Sequence, residues 1–116
     1  EVLRLRSGRE VFDAIARYCL WLAVLAGGVA GALGWFFAGF RLVDRSWILT
    51  THRWLGTGTV LLALVVLVLS EAARRKDDPV LRGWYRALLF LATAAVLTTG
   101  FFGGAMVYGI DHYAWR

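Results

Sequence analysis

The sequence predicts an all-α membrane protein: three transmembrane helices preceded by an N-terminal amphipathic helix at the interface, in a single domain over residues 1–116. Three observations carry that reading. Of the residues, 59% are hydrophobic and 18% charged, which is more apolar and less charged than an ordinary soluble domain. Three runs free of acidic and basic side chains stand out, each close to the roughly 20 residues needed to cross a hydrocarbon core. Lys and Arg are also divided unevenly between the segments that flank these runs.

The first element is "SGREVFDAIARY". Ser7 followed three positions later by Glu10 is a capping box, which satisfies two free amide donors at a helix start. Val11, Phe12 and Ile15 then share one face, with Arg9, Asp13 and Arg17 largely on another. This predicts a short amphipathic helix over 7–17, lying at the interface; a docking face for a partner subunit explains the same pattern. The first membrane helix follows over 18–40, "YCLWLAVLAGGVAGALGWFFAGF".

The second apolar run, "WLGTGTVLLALVVLVLS", lengthens backwards through "SWILTTH" to give a helix over 46–73. "EAARRKDDPVL" closes it and opens the third helix, over 79–110. Asp78 is suited to cap that helix, and Pro79 to its first position, where the missing N–H is not needed. The turn therefore centres near Asp77, and helices two and three form a tight antiparallel hairpin. Gly27 and Gly31 are four apart, as are Gly100 and Gly104. Small residues at that spacing let helices approach closely in lipid, and they also leave room for a flat macrocycle.

If three helices cross the membrane, Arg4, Arg6, Arg9, Arg17, Arg74, Arg75, Lys76, Arg82 and Arg86 share one side, against Arg41, Arg45, Arg53 and Arg116 on the other. That asymmetry places the N-terminus in the cytoplasm and the C-terminus in the periplasm of a bacterial inner membrane. Trp21 and Trp84 fall near the cytoplasmic ends, and Trp35, Trp47, Trp54 and Trp115 near the outer ends, as interfacial anchors do. The net charge of +5 is that of a membrane protein with a basic cytoplasmic face and calls for no nucleic acid. The chain begins at Glu1 rather than Met, which points to processing or to a piece of something longer.

Catalytic chemistry has little to work with. Cys19 is alone, there is no Cys-x-x-Cys-His for covalent haem, and neither a phosphate-binding glycine loop nor a metalloprotease histidine pair is present. The apolar runs hold no carboxylate, which argues against a proton or ion pump. What stands out is an imidazole, His52 in "TTHRWLGTG", at the mouth of helix two, with Gly56 one turn along the same face. His52 is a candidate axial ligand for haem iron or chlorophyll magnesium, with Gly56 and Gly104 as small residues beside such a group.

The other histidine, His112, is a poor partner for it. From the turn at Asp77, His52 lies 25 residues back and His112 35 residues forward. At about 1.5 Å per residue, straight helices separate them by roughly 15 Å in depth, too far to flank one iron. Gly109 is placed to end helix three and let "IDHY" fold back, but the position level with His52 is about 102.

"RYCLW" (17–21), "GW" (34–35), "HRWLG" (52–56) and "TGFFGGAMVYG" (99–109) resemble an uncharacterised bacterial membrane domain found fused to, or beside, c-type cytochrome modules of the planctomycete type. The resemblance spans nearly the whole chain after its N-terminal segment; "HRWLG" and "TGFFGGAMVYG" are its more specific parts. That domain usually has four helices: an opening one with a His-Phe-Pro-type motif, and later His-Arg-Trp-x-Gly and Thr-Gly-His-x-Gly-Gly-x-x-Val-Tyr-Gly. Here the opening helix has no counterpart, and the histidine of the Thr-Gly-His motif is replaced by Phe101, leaving His52 as the matching histidine. The resemblance implies an electron-transfer setting with membrane subunits, and a c-type cytochrome among them, as partners. Two functions stay open on this reading. One is a non-catalytic integral-membrane subunit of a respiratory or photosynthetic electron-transfer complex. The other is a b-type haem protein passing electrons between quinol and a periplasmic cytochrome c, with His52 as one ligand and His112, a partner subunit or a further helix supplying the second.

Overall fold

The computed structural model describes residues 2–109, with side chains from residue 10 onward. His112, Tyr113 and Trp115 lie outside the described residues. Three helices follow one another: α1 Val2–Phe37, α2 Trp47–Lys76 and α3 Pro79–Tyr108. Each contains a stretch long and apolar enough to cross a membrane.

The N-terminal part differs from the sequence expectation. α1 runs unbroken from Val2 to Phe37, so no separate interfacial helix over 7–17 is formed and Ser7 lies inside the helix rather than at its cap. The reason is local: no proline lies between Val2 and Phe37, and nothing at Arg17–Tyr18 stops helix propagation. At about 1.5 Å per residue, the 36 residues of α1 run well past a ~30 Å hydrocarbon core.

α1 also stops earlier than its apolar run. The amide of Phe40 donates to the Trp35 carbonyl and that of Gly39 to the Phe36 carbonyl, each at 3.1 Å. Gly39 has φ 65. This is a Schellman closure, in which glycine takes the left-handed position and the last free carbonyls are satisfied. At the other turn, Asp77 adopts φ 48 and ψ 38. The Asp78 carboxylate accepts from the amides of Val80 (2.8 Å) and Leu81 (3.4 Å), with Pro79 opening α3. The Gly109 amide donates to the Ala105 carbonyl at 3.0 Å and ends α3.

α2 is the central element. Among the described residues its backbone comes within 8 Å of both α1 and α3, while those of α1 and α3 do not come that close to each other. A small core of Leu20, Val66, Leu67 and Ala92, extended by Val24, Leu62, Tyr85, Leu88 and Leu89, joins all three helices toward the α2–α3 turn. Toward the opposite end α1 and α3 flank an open cleft over α2. The outward faces are apolar, with Leu22, Leu25, Val29, Phe90 and Leu97 all exposed, the pattern of helices whose solvent is lipid.

A cleft at the His-Arg-Trp segment

The first turns of α2 carry His52, Arg53 and Trp54, and each reaches a different part of the fold. His52 Nδ1 donates to the Thr99 carbonyl of α3 at 3.0 Å. The ring can come this close because Gly103 lies beneath it; a Cβ there would stand 3.1 Å from His52 Cε1. His52 thus meets the turn of α3 from Thr99 to Gly103, which brackets position 102. Nε2 has no hydrogen-bond partner among the described residues. A histidine that holds a metal commonly donates its other ring N–H to a backbone carbonyl, which fixes its tautomer and orientation. His52 has that arrangement.

Arg53 is the buried charge of the site. Its side chain is only 5% exposed and its Nη2 lies 2.7 Å from Asp44 Oδ2. The contact is an ion pair, and neither atom has a hydrogen-bond partner among the described residues. Nη1 donates to the Arg41 carbonyl, and the guanidinium lies 5.1 Å from the Trp35 ring centroid. Trp35 Nε1 in turn donates to Thr57 Oγ1 at 2.9 Å. Trp54 Nε1 donates to the Leu42 carbonyl at 3.0 Å, and its ring meets Trp35 edge-on at 5.4 Å. The Asp44 amide donates to Thr50 Oγ1 at 2.9 Å. Together these bonds fasten the α1–α2 connection onto α2.

A second polar contact ties α2 to α3: Thr59 Oγ1 and Thr99 Oγ1 are 3.2 Å apart. Between α1 and α3, above this seam, lies a cleft of about 420 Å³. Its wall on α1 includes Gly27, Ala30, Gly31, Gly34 and Trp35; His52, Arg53, Gly56 and Val60 are among its residues on α2, and Val96, Thr99 and Gly100 line it from α3. The volume is in the range of small-molecule sites. The glycines differ in what they do. A Cβ on Gly27 would stand 3.0 Å from Val60 Cγ2, so Gly27 sets the approach of α1 to α2. A Cβ on Gly31, Gly34 or Gly100 meets nothing within 4 Å, so these three keep the cleft open.

The other sequence candidates fall elsewhere. Gly104 is half-buried on α3 and is not among the cleft residues. Phe101 is 46% exposed, and its ring meets that of Phe102 at 5.7 Å. Phe102 meets Trp47 at 6.1 Å. Two residues along a helix is about 200° of rotation, so position 101 does not share the Thr99–Gly103 face that receives His52. Sequence reasoning missed the role of Arg53. The signal available for it was Asp44, the acid nearest in sequence before Arg53 on the connecting segment. Comparison with family models, curated proteins and solved structures gives no match for this chain.

Proposed function

We propose that this chain is a non-catalytic integral-membrane subunit of a bacterial electron-transfer complex, respiratory or photosynthetic, that anchors or scaffolds neighbouring membrane subunits. The observation that supports it best is the open cleft between α1 and α3: three of the residues that line it, Gly31, Gly34 and Gly100, are glycines at which a Cβ would meet nothing within 4 Å, so no packing among the described residues requires them. In lipid, apolarity alone does not drive helices together, and close approach over small residues does. The resemblance of "HRWLG" and "TGFFGGAMVYG" to a cytochrome-associated membrane domain supplies the electron-transfer setting. The distribution of Lys and Arg puts the α2–α3 turn and the N-terminus in the cytoplasm, and the cleft toward the periplasm. The first turns of α1, with Val11, Phe12 and Ile15 exposed, then lie at the cytoplasmic interface. Purification from native membranes in mild detergent tests this reading. It predicts a stable assembly that includes a cytochrome-bearing subunit; a wild-type chain that always purifies alone as a folded monomer contradicts it.

The hydrogen bond from His52 Nδ1 to Thr99 favours a second reading, in which His52 Nε2 is the axial ligand of a haem or chlorophyll seated against the cleft. The residues fit single ligation, which suffices for chlorophyll magnesium; no second histidine lies among the described residues to complete a bis-histidine haem site. Such a group would supply one-electron or light-driven chemistry, while the chain's own contribution is to fix the imidazole through Thr99 and Gly103. Reduced-minus-oxidised and absorption spectra of the purified complex decide it. A pigment band that His52→Ala abolishes is expected, and a band that survives the substitution clears His52 of ligation.

A further inference from the structure

At the opposite end of the bundle from His52 lies a smaller pocket of about 150 Å³, to which all three helices contribute. Arg17 comes from α1, Ser70 and Arg74 from α2, and Arg82, Tyr85 and Arg86 from α3. Four arginines thus line one small volume, with Asp13 as the acid in its wall. Some of that charge is already matched. Glu71 lies 2.9 Å from Arg74 and 4.0 Å from Arg17, and Asp77 lies 2.6 Å from Arg82. Arg86 has no ion-pair partner among the described residues, and Arg75 and Lys76 stand exposed just beyond the pocket.

The level of the pocket along the helices identifies the anion. It lies where the charged α2–α3 turn gives way to the uncharged run that starts at Ala87. Trp84, next to Tyr85, is 62% exposed, and Trp21, one turn beyond Arg17, is 46% exposed. Exposed tryptophans at such a boundary mark the headgroup region of a bilayer. Arginine clusters between helices at that level, on the cytoplasmic side, suit a lipid phosphate: the guanidinium fork matches phosphate oxygens, and the exposed apolar faces below receive acyl chains. Tyr85, which also lines the pocket, carries a neutral O–H donor, whereas the Ser70 hydroxyl already donates to the Leu67 carbonyl at 2.8 Å.

We propose that this pocket binds the phosphate of an anionic phospholipid such as phosphatidylglycerol. The proposal depends on the helices crossing a bilayer and is independent of the electron-transfer reading. The test uses the full chain, delipidated in a neutral detergent. Its thermal unfolding is followed while phosphatidylglycerol, phosphatidylcholine or inorganic phosphate is titrated in, and retained lipid is counted by native mass spectrometry. Saturable stabilisation by phosphatidylglycerol and not by phosphatidylcholine is expected. Arg86→Gln and Arg74→Gln, both at exposed side chains, should each weaken it about fivefold, while Arg45→Gln at the other end leaves it unchanged. Equal stabilisation by phosphatidylcholine overturns the proposal. So does an equal effect of inorganic phosphate, which would assign the pocket to a soluble anion. Unaltered phosphatidylglycerol affinity in both pocket variants overturns it as well.

Discussion

Arg53 shows how much one side chain can carry in a three-helix protein. It joins the α1–α2 connection, through Asp44 and the Arg41 carbonyl, to the Trp35 ring of α1. A buried charge stripped of its partner costs about 3–5 kcal/mol. Asp44→Asn keeps the shape and removes the charge; it is expected to lower stability by about 3 kcal/mol in thermal unfolding in detergent. A loss within about 0.5 kcal/mol would show that the pair is not a fixed part of the fold. In sequence Arg53 counts only as one of four outer cations, because a charge tally does not reveal which carboxylate a loop will deliver. His52 is the opposite case. Its depth follows from counting residues back from the turn, since rise per residue is constant in straight helices, and it does meet α3 between Thr99 and Gly103. Counting gives height and not direction around the helix, which is why it could not separate the Thr99–Gly103 face from that of Phe101.

At the scale of elements, the apolar runs mark where helices lie but not where they stop. α1 ends at Phe37 although the run continues to Phe40, because Gly39 offers the left-handed conformation that closes the helix. At the other end the capping box at Ser7 is overridden by helical residues on both sides. Asp78 and Pro79, by contrast, announce the start of α3 directly, since both act within one turn of their own positions. Glycine spacing was ambiguous in sequence between helix packing and an open face, and the structure divides the glycines between both. Gly27→Ala places a methyl 3.0 Å from Val60. Overpacking of this kind costs about 1–3 kcal/mol, of which the gain in helix propensity returns about 1. Gly31→Ala, four residues on, meets nothing within 4 Å and is expected to leave stability unchanged or raised. Unfolding transitions of the two variants side by side check this; equal destabilisation would mean that α1 sits differently on α2.

For the molecule as a whole, composition and run length make the membrane helices legible, because lipid imposes its apolarity on every span regardless of topology. The α2–α3 hairpin was legible from its short turn, but the placement of α1 was not. Nothing in the periodicity says that α1 packs on α2 with its backbone kept away from that of α3, since that depends on which narrow stripe of each apolar helix finds the better fit. The cleft beside His52 is the consequence, and the proposed role as a scaffold rests on it. The most direct test is the mass of the particle purified from native membranes in mild detergent, measured for the wild type and for Gly31→Leu. The leucine projects into the cleft from a position where a Cβ meets nothing within 4 Å. The wild type is expected in a complex several times its own 12.9 kDa, and Gly31→Leu is expected as a folded chain released from that complex. A wild-type chain that runs as a lone monomer, or a Gly31→Leu chain that keeps its partners, would contradict the account.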